Sequence, residues 1–330
     1  MYNPLVSVII PVHNGAGTLQ RALQSVVDQS YAPLEIIIVD DGSTDGSKRL
    51  IRSFIDKNRS QTRLFRSLHF KRNRGVAAAR LEATKIATGE YVTALDADDW
   101  LEAPAIARYV EATDSGRFDI VAAGLIYDYP DHSVRRNFPR GYRLELESIR
   151  MDTLHFTMQA KLIRLSLFRE LIAESATNPL AAPFTPGHDC WEDVGAVARV
   201  LARRPEVVTV ADAWYHYTQH SGSITHSNPD RILNDHLKVT RDLERWLLSE
   251  GLADRYRHFL YYLQFISKVK YLRNPRAVLR HPVRRLRQWR DTFPESNRHI
   301  HTYCHVAPHH RLLFRAVRLV ARLLPSSRRR

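Results

Sequence analysis

The chain has 330 residues, 44% of them hydrophobic, which is enough for one large buried core with an appendage. Its formal net charge of +14 is unevenly spread: residues 255–330 carry 19 Lys and Arg against two acids, whereas the residues before them carry 30 against 33. A basic block of that kind points to an anionic surface as partner, and no apolar run reaches the ~18–20 residues of a transmembrane helix.

The N-terminus enters Leu5-Val6-Ser7-Val8-Ile9-Ile10 without a basic region or cleavage site, so no export signal and a cytosolic location are expected. Cys190 and Cys304 stand outside any paired metal or redox motif, which argues against zinc and fits a reducing compartment. Residues 5–12 read as a buried strand. Residues 18–29 read as a helix with Leu19, Ala22, Leu23, Val26 and Val27 on one face. The alternation continues with strand 34–39, helix 46–55, strand 63–70, helix 76–87 and strand 91–95. Repeated βα units predict a mostly parallel α/β sheet covered by helices, with ligands outside the carboxyl ends of the strands.

Further along, residues 118–126 read as a strand, 128–143 are polar and turn-rich, and 178–187, with Pro179, Pro183 and Pro186, read as a mobile loop. Asn228-Pro229 is an N-cap and first-turn pair. The stripe Ile232, Leu233, His236, Leu237, Leu243, Trp246 and Leu247 then predicts a helix up to Gly251, and a second helix is expected over 256–272. The domain reading is 1–228 for an α/β unit and 229–330 for a basic α-helical extension.

Chemistry concentrates at the strand ends. Asp96-Ala97-Asp98-Asp99 crowds three carboxylates after the apolar run 91–95, an arrangement that a divalent cation stabilises. Asp96 and Asp98 can point the same way, toward a hard cation such as Mg²⁺ or Mn²⁺, and Asp99 can instead cap a helix beginning near Leu101. Asp40-Asp41-Gly42-Ser43-Thr44-Asp45 follows another strand; it can bind a base N–H or a ribose hydroxyl, or serve only as a turn and cap. Pro11-Val12-His13-Asn14-Gly15-Ala16-Gly17 lacks the third glycine of a dinucleotide fingerprint, and no lysine-bearing phosphate loop occurs, so dehydrogenase and P-loop readings are disfavoured. Asn73-Arg74-Gly75 precedes Ala77-Ala78-Ala79-Arg80, small residues that let a helix N-terminus approach a ligand or simply pack. His188-Asp189 and Glu192-Asp193 follow the proline-rich loop, and His220 with Ser223 lies in a glycine- and hydroxyl-rich stretch that can bind phosphate.

In this order and spacing the motifs, spanning roughly residues 6–225, resemble the bacterial family 2 glycosyltransferases of GT-A fold. The resemblance implies an inverting transfer of a hexose from a UDP-sugar, UDP-glucose first among them, to a hydroxyl of a lipid-linked glycan in exopolysaccharide, capsule or lipopolysaccharide synthesis. It implies that Pro11, Asn14, Asp40, Asp41, Asn73 and Arg80 bind the nucleotide. Asp96 would face the ribose or the metal, Asp98 would ligate Mn²⁺ or Mg²⁺, and His220 and Ser223 would touch the diphosphate. Asp193 would be the base with Glu192 beside it, and Asp189 is a competing acid.

The resemblance does not cover the end of the chain. Arg311, Arg315, Arg318 and Arg322 recur at helical spacing beside Leu312, Leu313, Phe314, Val317, Leu319, Val320, Leu323 and Leu324. Such a helix, followed by Arg328-Arg329-Arg330, is suited to the anionic inner face of the cell membrane, or to docking on protein. A nucleic-acid-binding role for the arginines needs interleaved stacking aromatics, for which Trp289 and Tyr303 are a thin supply. A nucleotidyltransferase needs a basic, glycine-rich phosphate loop near the N-terminus, which Gly15 and Gly17 hardly supply.

Overall fold

A computed structural model of the chain describes residues 2–138, 156–220, 229–272, 280 and 282–296. The expectations for Ser223, the cap at Asn228 and the amphipathic helix 311–330 lie outside these residues. The described chain forms two compact units, one built from residues 2–138 and 156–220 and the other from residue 229 onward.

The first unit begins with the expected alternation: β1 (Val6–Val12), α1 (Leu19–Val27), β2 (Leu34–Asp40), α2 (Ser47–Asn58), β3 (Arg63–His69), α3 (Val76–Ile86) and β4 (Tyr91–Ala94). β2 is buried along its whole length and β1 almost so, because helices cover both faces, and this is why they read as continuous apolar runs. β3 alternates instead and lies at the sheet edge. One face carries Val6, Val8, Ile10, Leu34, Ile36 and Ile38 against Leu19, Leu23 and Val26 of α1 and Ile51, Phe54 and Ile55 of α2. Burying each such aliphatic side chain contributes about 1.5–3 kcal/mol. On α3, Ala77, Ala78 and Ala79 are fully buried, so the small residues are a packing face as well as an approach to the site.

The continuation is β5 (Trp100–Leu101), α4 (Ala105–Ala112), β6 (Ile120–Asp128), β7 (Ser133–Arg136), β8 (Lys161–Arg164), α5 (Leu165–Glu174), α6 (Glu192–Ala202) and β9 (Val207–Thr218). The nine strands form one sheet in the order β3-β2-β1-β4-β8-β6-β9-β5, with β7 on β6. β1 to β4 pair in parallel as expected. β8 is antiparallel to both β4 and β6, and β9 is parallel to β6 but antiparallel to β5, so the sheet is mixed beyond β4. The stretch 178–187, expected to be a mobile loop, is anchored: Phe184 is fully buried and stacks on Phe168 at 5.8 Å, and Arg199 Nε donates to the Leu180 carbonyl at 2.8 Å. Its prolines shape a packed turn.

The second unit contains α7 (Pro229–Ser249), α8 (Arg257–Leu272) and α9 (Pro282–Asp291). The apolar stripe of α7 is buried as its spacing predicts, from Ile232 to Leu247. The chain turns after it at Gly251 (φ +69°), where Leu252 N–H donates to the Leu247 carbonyl at 2.7 Å.

Candidate active site

The chain reverses strand order between β1 and β4, and the loops following β1, β2 and β4 gather at one end of the sheet, where open α/β sheets bind ligands. Two of these loops are sewn together. Asn14 N–H donates to Ser43 Oγ at 2.9 Å, Thr44 N–H to Asn14 Oδ1 at 2.8 Å, and Gly15 N–H to Ser47 Oγ at 2.9 Å. Asn14 holds φ +52°, and Pro11 lies one residue before the end of β1.

Asp40 and Asp41 are both buried, and each holds a loop. Asp40 accepts from Ser43 N–H at 3.0 Å and pairs with His69 Nδ1 at 3.0 Å. Burial opposes its charge, but these bonds outweigh burial and keep its pKa below the usual carboxylate range. Asp41, just after β2, accepts from Arg74 N–H at 2.6 Å and Gly75 N–H at 2.8 Å, holding the turn that leads into α3. Asn73 Oδ1 also accepts from Gly75 N–H, at 3.0 Å. Gly75 is required twice over: its φ is +90°, and a Cβ there would lie 1.9 Å from Asp189 Oδ1. Asp189 therefore sits over the start of α3.

The resemblance places Arg80 near the nucleobase. In the structure it is a cross-link, 2% exposed, with Nη2 donating to Asp96 Oδ1 at 2.6 Å and Nη1 bonded to Glu192 Oε1. Burial disfavours the guanidinium charge, yet Asp96, Glu192 and Asp193 together overcome that penalty and hold it charged. Asp96 Oδ2 is taken by Gln159 Nε2 at 2.6 Å. Burial pushes Glu192 up to about 8 and raises Asp193 as well, against the pull of Arg80 in both cases. An aspartate near the ordinary value of about 3.9 is a weak base for an alcohol; the raised proton affinity makes Asp193 a better one. Glu192 and Asp193 open α6, where Asp193 Oδ1 accepts from Val194 N–H at 2.8 Å.

Asp98 and Asp99 have separate roles. Asp98 is 36% exposed, and its Oδ2 meets His220 Nε2 at 2.8 Å. Asp99 is fully buried and accepts from Tyr215 Oη at 2.7 Å and Thr218 N–H at 2.8 Å. Burial first, then the charges of Asp96 and Asp98, raise its pKa well above the ordinary value. The suggestion that Asp99 caps the following helix is corrected: β5 follows it, α4 starts only at Ala105 after Pro104, and the Asp99 carboxylate anchors β9. Arg21 completes the corner by donating to the Asp98 carbonyl and to Thr218 Oγ1, both at 2.8 Å.

Residues 7–172 match the family model for glycosyl transferase family 2. The chain belongs to glycosyl transferase family 2. A glycosyltransferase of otherwise uncharacterized function from Haemophilus influenzae is 42% identical over 101 residues, which are 31% of this chain and 39% of that protein. TarS of S. aureus (residues 1–349), solved with UDP-GlcNAc, superposes with a TM-score of 0.65 at 17% identity, covering 88% of this chain and 82% of TarS. The mannosyltransferase PcManGT from Pyrobaculum calidifontis, solved with GDP-Man and Mn²⁺, gives a TM-score of 0.54 at 17% identity, covering 98% and 87%. These structures share the fold of this family 2 glycosyltransferase. It is thus a transferase, and the α/β architecture expected from the strand and helix alternation is the one it has.

Gln159 and Lys161 escaped the motif reading of this glycosyltransferase, whereas Tyr215 and Thr218 lie just before His220 in the stretch read as a phosphate binder and instead bond Asp99. Gln159 precedes β8 in a stretch without a motif, and Tyr215 and Thr218 reach the cluster only because β9 pairs with β5.

Proposed function

We propose that the protein moves a hexose, glucose as the first candidate, from a UDP-sugar to a hydroxyl of a lipid-linked glycan, with inversion at the anomeric carbon. The observation that carries this reading is the Arg80 bridge, which joins Asp96 of the donor cluster to Glu192, next to the base Asp193. The fold neighbours with nucleotide-sugars bound support the donor class.

Pro11, Asn14, Asp40, Asp41 and Asn73 would shape the nucleotide pocket, the last three chiefly by holding its loops. Asp96, already bonded to Arg80 and Gln159, would meet a donor hydroxyl. Asp193 takes the proton of the acceptor hydroxyl as its oxygen forms the new bond to the anomeric carbon, from the face opposite the departing UDP. The bond to the diphosphate oxygen breaks with its electron pair. Asp193, whose charge interacts with that of Arg80, is taken as the base, and Asp189, packed over Gly75, is the competing acid.

A carboxylate oxygen and an imidazole nitrogen 2.8 Å apart and partly exposed make Asp98 and His220 a suitable donor pair for Mn²⁺ or Mg²⁺. Among the described residues no group of three or more His, Cys, Asp or Glu could hold a metal ion, so the remaining oxygens would come from the diphosphate and water. When bound, the ion neutralises charge growing on the leaving diphosphate. Asp96, assigned to the metal or the ribose by resemblance, would serve either, since each of its oxygens keeps a lone pair beyond the bonds to Arg80 and Gln159.

The acceptor assignment rests on the basic tail. No helix among the described residues is long and apolar enough to cross a membrane, and residues 311–330 would instead lie on its anionic inner surface. Calorimetry with UDP and Mn²⁺, and UDP-glucose hydrolysis by Asp98→Ala, test the donor half. No UDP binding by the wild type, or unchanged metal-dependent hydrolysis in the variant, removes the proposal. Flotation with anionic vesicles tests the membrane half separately.

A further inference from the structure

Three residues at a spacing of four, which places them on one helical face, hold the segment that follows the acidic cluster. Arg21 Nη2 donates to the Asp98 carbonyl at 2.8 Å, and Ser25 Oγ accepts from Leu101 N–H at 3.2 Å. Gln29, just past α1, donates to the Glu102 carbonyl at 2.8 Å and accepts from Ile106 N–H at 3.0 Å. Ser25 and Gln29 are buried, so their bonds belong to the packing of the fold. Arg21 is exposed and ends the row where Asp98 meets His220.

The same nitrogen also donates to Thr218 Oγ1 at 2.8 Å, so its two hydrogens serve one acceptor in the turn after β4 and one at the end of β9. Those segments carry the two halves of the pair suited to the cation: Asp98 itself, and His220 two residues beyond Thr218, with Oδ2 and Nε2 2.8 Å apart. A bond on the Asp98 carbonyl fixes the backbone from which that carboxylate springs, and a bond on Thr218 fixes the strand end that leads to His220. Groups that orient metal ligands without touching the metal raise affinity, because the site is already arranged when the ion arrives. We propose that Arg21 is the positioning residue of the Asp98–His220 pair and sets its affinity for the divalent cation through the two bonds of Nη2. The inference rests on the reading of that pair as the metal site.

Mn²⁺ is titrated in the presence of UDP into wild type, Arg21→Met, Arg21→Lys, Thr218→Val and Asp98→Ala, and the protein-bound ion is followed by water-proton relaxation. Arg21→Met keeps the length of the side chain without its donors and should bind Mn²⁺ about tenfold or more weakly than wild type. Lysine presents one terminal nitrogen with hydrogens for both acceptors, so Arg21→Lys should stay within about threefold. Thr218→Val removes one acceptor but leaves the Arg21 charge in place, and it should weaken Mn²⁺ binding by about threefold or more. If Arg21→Met binds within about threefold of wild type, or if Arg21→Lys loses as much as Arg21→Met, the inference falls. It falls too if Arg21→Met is weakened and Thr218→Val is not, since Arg21 then acts by its charge on the diphosphate. Asp98→Ala tests the underlying reading: binding equal to wild type removes the metal site and the inference together, whereas a loss there beside an unchanged Arg21→Met removes the inference alone. Thermal melts of the Arg21 variants should lie within a few degrees of wild type, because Ser25 and Gln29 still hold the segment. Thr218→Val, of nearly the same volume, carries the test if Arg21→Met does not fold.

Discussion

Arg80 Nη2, from within α3, donates to Asp96 Oδ1, in the turn after β4, across 2.6 Å, and the same guanidinium holds Glu192 from the far half of the domain. Removing it leaves buried carboxylates without their counter-charge. Arg80→Ala should cost about 3–5 kcal/mol in urea denaturation. Arg80→Lys retains the charge but not the planar fork, so it should keep most of that stability while hydrolysing UDP-glucose about 10–100-fold more slowly. Equal stability of Arg80→Ala and wild type would show that the bridge does not hold the two halves.

Asp193→Asn removes the proposed base without removing volume. Its kcat for transfer should fall about 10²–10⁴-fold, with UDP affinity within about threefold of wild type. Asp189→Asn should lose less than about tenfold, because Asp189 packs over Gly75 at the start of α3. The reverse order of losses would transfer the base role to Asp189.

Gly75→Ala combines a left-handed backbone at φ +90° with a collision against Asp189. The substitution should destabilise the protein by about 1–3 kcal/mol in urea denaturation. It should also disturb the turn that Asp41 holds before α3, weakening UDP binding measured by calorimetry. Gly17→Ala, where a Cβ meets nothing within 4 Å, is the control and should do neither.

Lys161 is 1% exposed on β8, and burial lowers its pKa to about 7 although Asp193 pulls the other way. In the unfolded chain the same group titrates near ~10.4. Between about pH 7 and 10 the unfolded state therefore holds the proton that the folded state has released, so stability rises with pH through that window. Below it both states are protonated and the slope from this group vanishes. Lys161→Met should flatten the rise in denaturation midpoints from pH 7 to about 10. Lys268, also lowered to about 7 by burial, remains in both proteins, so only the difference between them is read.

The βα alternation up to β4 was legible because each buried strand carries an unbroken apolar run and each helix a single apolar stripe. Strands β5, β7 and β8 were not legible: they have two to four residues, too short for a period to show, and are defined by their partners. Proline content misrepresented residues 178–187, since Phe184 inserts into the core whatever its neighbours are. In the site, acids at strand ends announced themselves, but the division of labour among them did not. Asp98 and Asp99 are adjacent, yet one is paired with His220 at a partly exposed edge and the other is sealed under Tyr215.

The sequence by itself determined that this chain would bring carboxylates to the open ends of a βα sheet, because alternation of buried runs and turn acids is a local property. Only the tertiary structure decided what each carboxylate does. Asp41 holds the turn into α3, Asp99 anchors β9, and Arg80 reaches more than a hundred residues ahead to Glu192. Those outcomes depend on which groups converge and how far water is excluded from them, and neither is encoded in the spacing of neighbouring residues.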